Sequence, residues 1–482
     1  MAEKWREPLL YERVAARIER MIENGVLRPG EKVPSVRTIS QQQRVSLSTA
    51  FKAYYHLEIK GLLEARPRSG FYVRPLPQKL STIVTKSTPS TTPSDVKIHD
   101  LVTEIFNSFS QPDITPLGAT SVDERLLPAS KLQKFLVRAT RQSPEQSLKY
   151  DFSGGLSELR RLIARRAATD WGGNLTRDDV TITAGCSEAL TMALRVVARP
   201  GDSIVIESPS YFGILQRIES LGLKALEIAT NPDRGISLTE LERVLCTEKV
   251  AAVLLVPNFG NPLGNLMPDD KKKAIAEMLA RREIPLIEDD ICGDLHFGTM
   301  RPKPIKTFDL KGLVLLCSSF SKTLAPGYRV GWVAAGRFHE QVLRLKQMTT
   351  IGTSLPPQMA ISAFLQSGNY DRHLRGLRTA LFRQMLLTVE AVSKYFPPKT
   401  RVSHPQGGSV LWVELPKGFD SLALYRHALS EKIGIVPGIV FSAQNKYRNF
   451  IRLSYGHCFD EKIEFAIEKL GEIIQIVNRN LS

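Results

Sequence analysis

The stretch Cys317-Ser-Ser-Phe-Ser-Lys-Thr-Leu-Ala-Pro-Gly-Tyr-Arg-Val-Gly-Trp332 gathers one lysine, three serines and one arginine around proline and glycine breakers. The apolar run at 313–316 just before it reads as a buried strand, so Lys322 falls where a strand opens into a loop. A loop lysine is by default a solvated charge. Ser319, Ser321 and Arg329 change that reading, because a lysine used as a Schiff-base amine needs a shielded pocket. A phosphorylated aldehyde partner also needs hydroxyls and a guanidinium at a fixed distance from the amine.

The pattern S-x-S-K-x-x-x-P-G-x-R-x-G resembles the lysine signature of the class I aminotransferases, which use pyridoxal 5'-phosphate. Around it, apolar strands are expected at 180–183, 203–207, 250–256, 286–288, 314–316 and 330–334, alternating with helical segments such as 188–199 and 271–282. Such alternation argues a mostly parallel sheet covered by helices on both faces, which places ligands at the carboxyl ends of its strands. The resemblance implies an α/β transferase-like domain of fold-type I over residues 113–482.

Several motifs fall at those strand ends. Thr183-Ala-Gly-Cys186-Ser187-Glu-Ala189 opens a helix whose N–H groups and dipole suit a phosphate. Glu207-Ser-Pro-Ser-Tyr211 sets an aromatic ring where it can cover a flat ligand, and Glu288-Asp289-Asp290 ends a strand with carboxylates able to hold a protonated ring nitrogen. By resemblance, Asp289 takes the pyridine nitrogen, Asn261 the cofactor's phenolic oxygen, Arg452 a substrate carboxylate, and Tyr150 the phosphate of a neighbouring subunit in a homodimer. The family usually continues D-x-x-Y after the aspartate. Here that position is Cys292, and a thiol is a poorer hydrogen-bond donor than a phenol, so cofactor binding is expected to outlast efficient turnover.

The amino-terminal region reads differently. Apolar residues at Leu10, Val14, Ile18, Met21 and Ile22 have a helical period that Asn24-Gly25 stops. Ser35 can cap a second helix through Gln42, and Ser46 or Ser48 a third that runs to Lys60 before Gly61 ends it. Short strands at 62–65 and 71–73 then flank Arg66-Pro-Arg68-Ser-Gly70. Three helices and a hairpin make a winged helix-turn-helix. In that geometry Ser46, Ser48, Thr49 and Lys52 lead the helix that enters a DNA major groove, and Arg37 meets the backbone. Arg66 and Arg68 lie on the wing, where Gly70 permits close approach to a phosphate or the minor groove. The phrases Pro29-Gly-Glu-Lys-Val-Pro-Ser-Val-Arg-Thr-Ile-Ser40 and Val45-Ser-Leu-Ser-Thr49 resemble the GntR family over residues 8–75.

Charge agrees with an anionic partner. The chain of 482 residues carries a net +16, and residues 1–75 hold 14 Lys/Arg against 8 Asp/Glu, a net of +6. Residues 76–112, rich in Pro, Ser and Thr at first, are expected to form a linker, with a short amphipathic helix at 98–109. At 43% hydrophobic and 24% charged, with no long apolar window, the chain reads as a cytoplasmic protein without a membrane span. Its five scattered cysteines form no C-x-x-C pair, so free thiols and no metal site are expected. The whole architecture resembles the MocR subfamily: regulators that bind pyridoxal phosphate and double-stranded operator DNA and sense an amine, amino acid or B6 vitamer. An active aminotransferase carrying a DNA-binding module is the second reading, and a cofactor-free dimerisation scaffold the third.

Overall fold

The computed structural model describes residues 10–28, 30–59, 62–66, 69–74, 81–82 and 88–481. The chain divides into two compact units, Met1–Leu80 and Ser81–Ser482.

The small unit consists of α1 (Leu10–Glu23), α2 (Val36–Gln43), α3 (Leu47–Ile59) and an antiparallel hairpin, β1 (Leu63–Arg66) and β2 (Gly70–Val73). Val14, Ile18 and Ile22, four residues apart on α1, meet Ala50, Ala53, Tyr54 and Leu57 of α3 in a core closed by Ile39, Leu63 and Val73. Ser35 caps α2, its Oγ accepting the Thr38 N–H at 3.1 Å. Arg44 then turns the chain through a left-handed conformation (φ +50°), returning its N–H to the carbonyls of Ser40 and Gln41. Ser46, of the two candidate serines, caps α3 by accepting the Thr49 N–H at 3.1 Å. The order of elements is that of a winged helix-turn-helix. The positions assigned to Arg68 and to the Gly61 stop lie outside the described residues.

The large unit is built on a sheet of eight strands in the order β4-β11-β10-β9-β8-β5-β6-β7. These are β4 (Val180–Thr183), β5 (Ser203–Ser208), β6 (Lys224–Asn231), β7 (Gly235–Ile236), β8 (Val250–Leu255), β9 (Leu286–Asp289), β10 (Val314–Ser319) and β11 (Gly331–Ala334). Strands β10, β9, β8, β5 and β6 pair in parallel, and β11 runs antiparallel between β10 and β4. Every residue of β4, β5, β9 and β10 is buried, which is why these strands read as continuous apolar runs rather than alternating ones.

A second sheet, not anticipated from the strand-helix alternation, has the order β14-β15-β13-β12-β3. Its strands are β3 (Ser81–Thr82), β12 (Arg401–Val402), β13 (Val410–Glu414), β14 (Val436–Pro437) and β15 (Phe450–Ser454).

The linker expected over 76–112 is shorter than its composition suggested. Ser94 exchanges two backbone hydrogen bonds with Ala225 at the edge of the large sheet, and the expected amphipathic helix forms as α4 (His99–Phe109). Glu219 accepts the N–H groups of Ile98 and His99 at 3.0 and 3.1 Å, while Val102 and Ile105 are buried. From residue 88 onward the polar composition belongs to a segment packed on the large unit, because tertiary pairing supplies the order that local periodicity lacks.

Candidate functional site

Strands β4, β5, β8, β9 and β10 all point the same way, so the segments leaving Thr183, Ser208, Leu255, Asp289 and Ser319 emerge on one edge of the sheet. They line a cavity of about 230 Å³ that collects Cys186, Ser187, Tyr211, Asn261, Asp289, Cys292, Ser321, Lys322 and Arg329. Nine of the sequence-derived site residues therefore meet at one place.

Lys322 donates to the carbonyl of Thr120 at 2.9 Å and to its hydroxyl at 3.2 Å. Burial pulls its pKa below the ordinary lysine value, which favours the neutral, nucleophilic amine. At the end of β9, Asp289 accepts the Ile291 N–H at 3.1 Å and the Cys186 thiol at 3.5 Å. Burial nonetheless lifts its carboxyl to about 6, outweighing these hydrogen bonds and the attraction of Arg217. Cys292 follows one turn later, its thiol pushed up to about 12 by burial and hence neutral.

Part of the cavity wall is cationic. The helix Cys186–Val197 begins there, Arg329 reaches the Ser321 hydroxyl at 3.4 Å and the Ala184 carbonyl at 3.1 Å, and Arg217 reaches the Ser187 carbonyl at 3.3 Å. Gly185 sits at φ +82°, and a Cβ on it would come within 2.4 Å of the Arg329 guanidinium, so only glycine allows this approach.

Arg452, on β15, is almost fully buried. It donates to the Asn261 side-chain oxygen at 3.2 Å and to the Gly118 carbonyl, between the rings of Phe212 and Phe441. Because a guanidinium only donates, Asn261 must turn its oxygen toward Arg452, which leaves its NH2 as the donor it can offer the cavity. The Arg452 Nε is buried without a partner, and burial lowers the guanidinium pKa to about 10.

Three expected residues do not line the cavity, and of these Arg452 stands behind Asn261. Ser319 does not line the cavity: its Oγ accepts the Ser321 N–H at 3.2 Å and so shapes the turn that carries Lys322. Tyr150 is 75% exposed beside Phe152, away from this cavity. Thr120, Ser121, Arg217, Phe259 and Ser409 line the cavity and were not singled out. Arg217 stands about one and a half helical turns into a segment whose start was recognised, but no local motif marks it, and the others arrive from distant segments.

These residues fit pyridoxal 5'-phosphate. One cavity gathers a buried carboxylate, a helix N-terminus with two guanidinium groups and a buried amine, and an unpartnered arginine nitrogen belongs to the side chain that holds Asn261.

In the small unit, Arg37 and Arg44 are exposed on α2 and its turn. Ser46 bonds the hydroxyls of Ser48 and Thr49, each at 2.8 Å, and the Lys52 ammonium lies 4.3 Å from the centre of the Tyr11 ring. On the wing, Arg66 pairs with Glu64 at 2.6 Å and stacks on Tyr72, while Gly70 sits at φ +107°. Several residues expected to face DNA are thus engaged within the unit.

Fold and cavity define an aminotransferase-type body joined to a winged helix-turn-helix head. Residues 122–470 match the family "Aminotransferase class I and II", and residues 10–73 match "Bacterial regulatory proteins, gntR family". The HTH-type transcriptional regulator YjiR of Escherichia coli is 37% identical over 96% of this chain and 98% of its own length. NorG of Staphylococcus aureus, an HTH-type transcriptional regulator, is 30% identical over 92% of this chain and 100% of its own. The α-aminoadipate aminotransferase LysN of Thermus thermophilus, solved with N-(5'-phosphopyridoxyl)-L-leucine, superposes with a TM-score of 0.72 at 28% identity, covering 78% of this chain and 95% of LysN. The chain belongs to the class I and II aminotransferase family and, through its gntR-type head, to the MocR-like HTH-type transcriptional regulators.

Proposed function

We propose that this protein regulates transcription by binding operator DNA through its small unit and pyridoxal 5'-phosphate in the cavity at Lys322, where an amine, amino acid or B6 vitamer changes its affinity for DNA. The observation that carries the reading is the convergence of Lys322, Asp289 and Arg329 on one cavity in a chain that also bears a winged helix. When bound, the cofactor supplies an aldehyde carbon for the Lys322 amine and an electron-withdrawing ring. Asp289 would hold the ring nitrogen's proton, Tyr211 would cover the ring, and the Asn261 NH2 would meet the phenolic oxygen. Ser187, Ser321, Arg329 and the N–H groups at Cys186 would take the phosphate. Arg452 would fork an effector's carboxylate, its buried Nε being the donor still to be satisfied.

The Thr120 carbonyl and hydroxyl already accept from the Lys322 amine and would hold it whenever it is free of cofactor. Cys292 offers only a neutral thiol where a phenol would support proton movement, so the relocation of protons rests on Lys322 and turnover is slow. A working aminotransferase is the second reading, favoured by Arg452 holding Asn261, which lines the cavity. Tyr150, exposed with Leu148 and Phe152, belongs against a second copy in a homodimer, where it reaches that copy's phosphate. No helix among the described residues is long and apolar enough to cross a membrane, and the place of action is the cytoplasm, with the DNA.

The test uses a duplex selected by the full-length protein from random sequence. Fluorescence anisotropy follows its binding with and without pyridoxal phosphate and a panel of amines and amino acids. At least one compound should shift the affinity of the wild type and not of Lys322→Ala. Equal affinities throughout would contradict the sensor, and rapid, complete conversion of an amino donor by the wild type would favour the enzyme.

A further inference from the structure

The leading turns of α3 present an unexpected surface. The polar side chains nearest its amino terminus are occupied locally, because Ser46 bonds both the Ser48 and Thr49 hydroxyls and Lys52 leans back over the Tyr11 ring. Beside them Leu47 is 54% exposed and Phe51 is 56% exposed. Four residues apart, they share one face of the helix. Two large apolar side chains on the open face of a unit with so small a core are costly in water unless a partner covers them. The surroundings identify that partner. From Lys32 to Leu57 the chain has four cations, Lys32, Arg37, Arg44 and Lys52, and no carboxylate, so the face suits a polyanion. Residues 10–73 match the gntR family, and in a helix-turn-helix the amino-terminal part of the second helix lies in the major groove. The apolar feature that groove offers is the 5-methyl group of thymine.

We propose that Leu47 and Phe51 are specificity-determining residues that read thymine methyl groups in the major groove, with Ser46, Ser48 and Thr49 holding the helix end in shape between them. The proposal rests on the DNA-binding reading of the small unit. Recognition is therefore carried by methyl contacts rather than by a bidentate arginine on guanine. The preferred operator should hold thymine at one or two fixed positions in each half-site. Arg37 and Arg44 add affinity without sequence preference, since phosphate contacts position the protein and base contacts select the site.

The experiment starts from duplexes selected by the full-length protein out of a random library. In the best duplex each thymine is replaced in turn by uracil, which removes only the methyl group. At one or two positions in each half-site the wild type should lose about fourfold in affinity, the worth of one buried methyl group. Phe51→Ala or Leu47→Ala should bind more weakly but no longer distinguish thymine from uracil at the position each reads. Arg37→Ala should bind more weakly and keep the distinction. Both apolar side chains are exposed, and circular dichroism should show their alanine variants folded like the wild type. Indifference of the wild type to uracil at every position would overturn the proposal, as would alanine variants that keep the full thymine preference. Failure to enrich any duplex would overturn the DNA-binding reading itself, and the proposal with it.

Discussion

The two units solve opposite problems. The large unit draws its functional groups out of water: Asp289, Arg452 and the Cys292 thiol all have pKa values displaced by burial, and five parallel strand ends of one sheet meet a strand of the other at the cavity. The small unit keeps its functional groups on the surface, over a compact core in which Tyr54 is buried and donates to the Pro34 carbonyl at 2.5 Å. Displaced charges mark a site that a ligand completes, whereas an exposed helix face shows its purpose only through what its side chains leave uncovered.

The sharpest way to break the comparison is to unfold one unit alone. Leu57 is fully buried in the small core, so Leu57→Ala should cost about 2–5 kcal/mol. DNA binding should fall with the small unit while cofactor loading of the large unit persists. Calorimetry with two resolved transitions checks this, and loss of both functions together would show that the units do not hold separate cores.

Asp289→Asn removes a charge-assisted hydrogen bond to the ring nitrogen and should weaken pyridoxal phosphate binding by about 1.5–3 kcal/mol. The pH dependence has a defined sign. The Asp289 carboxyl is raised from 3.8 to about 6, so the folded protein without cofactor holds a proton there that the unfolded chain releases. The stability contributed by this group is therefore present at low pH and is lost as pH rises from about 4 to 6. Cofactor affinity, which needs the carboxylate, should show the opposite trend. Absorbance titrations of wild type and variant should diverge as pH rises through about 6; parallel curves would remove Asp289 from the ring nitrogen.

Cys292→Tyr should raise the rate of a single-turnover half-reaction with an amino donor about tenfold, less than the roughly 10²-fold or more of a general acid or base, because the phenol supports the proton transfer rather than carrying it. Cofactor affinity should barely change, and a mutant no faster than the wild type would clear Cys292 of limiting turnover. The smallest effect belongs to Arg37→Ala. It should weaken DNA binding to all sequences alike and flatten the slope of log affinity against log salt by about 0.9, one phosphate's worth. An unchanged slope would place Arg37 off the DNA backbone.

Much of the large unit was legible in its sequence because its chemistry sits in short motifs at strand ends. Asp289, Lys322 and Arg329 each stand next to a recognisable apolar run or breaker, and the parallel sheet then aligns those ends without further instruction. Thr120 and Arg217 were not legible, since only the folded chain brings their segments to the cavity. Ser319 shows the converse: the right residue type in the right motif supports the turn rather than the cavity. In the small unit the elements were legible from period and caps, but the division of labour on α3 was not. Hydroxyls that look like base readers are bonded to each other, a fact of geometry rather than of spacing.

The central claim is that Lys322 is the amine that holds the cofactor in a chain built to bind DNA. Full-length protein loaded with pyridoxal phosphate, reduced with borohydride, digested and mapped by mass spectrometry tests it most directly. The expected result is one phosphopyridoxyl group per chain, on Lys322, and none in Lys322→Ala. Label on another lysine, or a loaded wild type that takes up none, would contradict it.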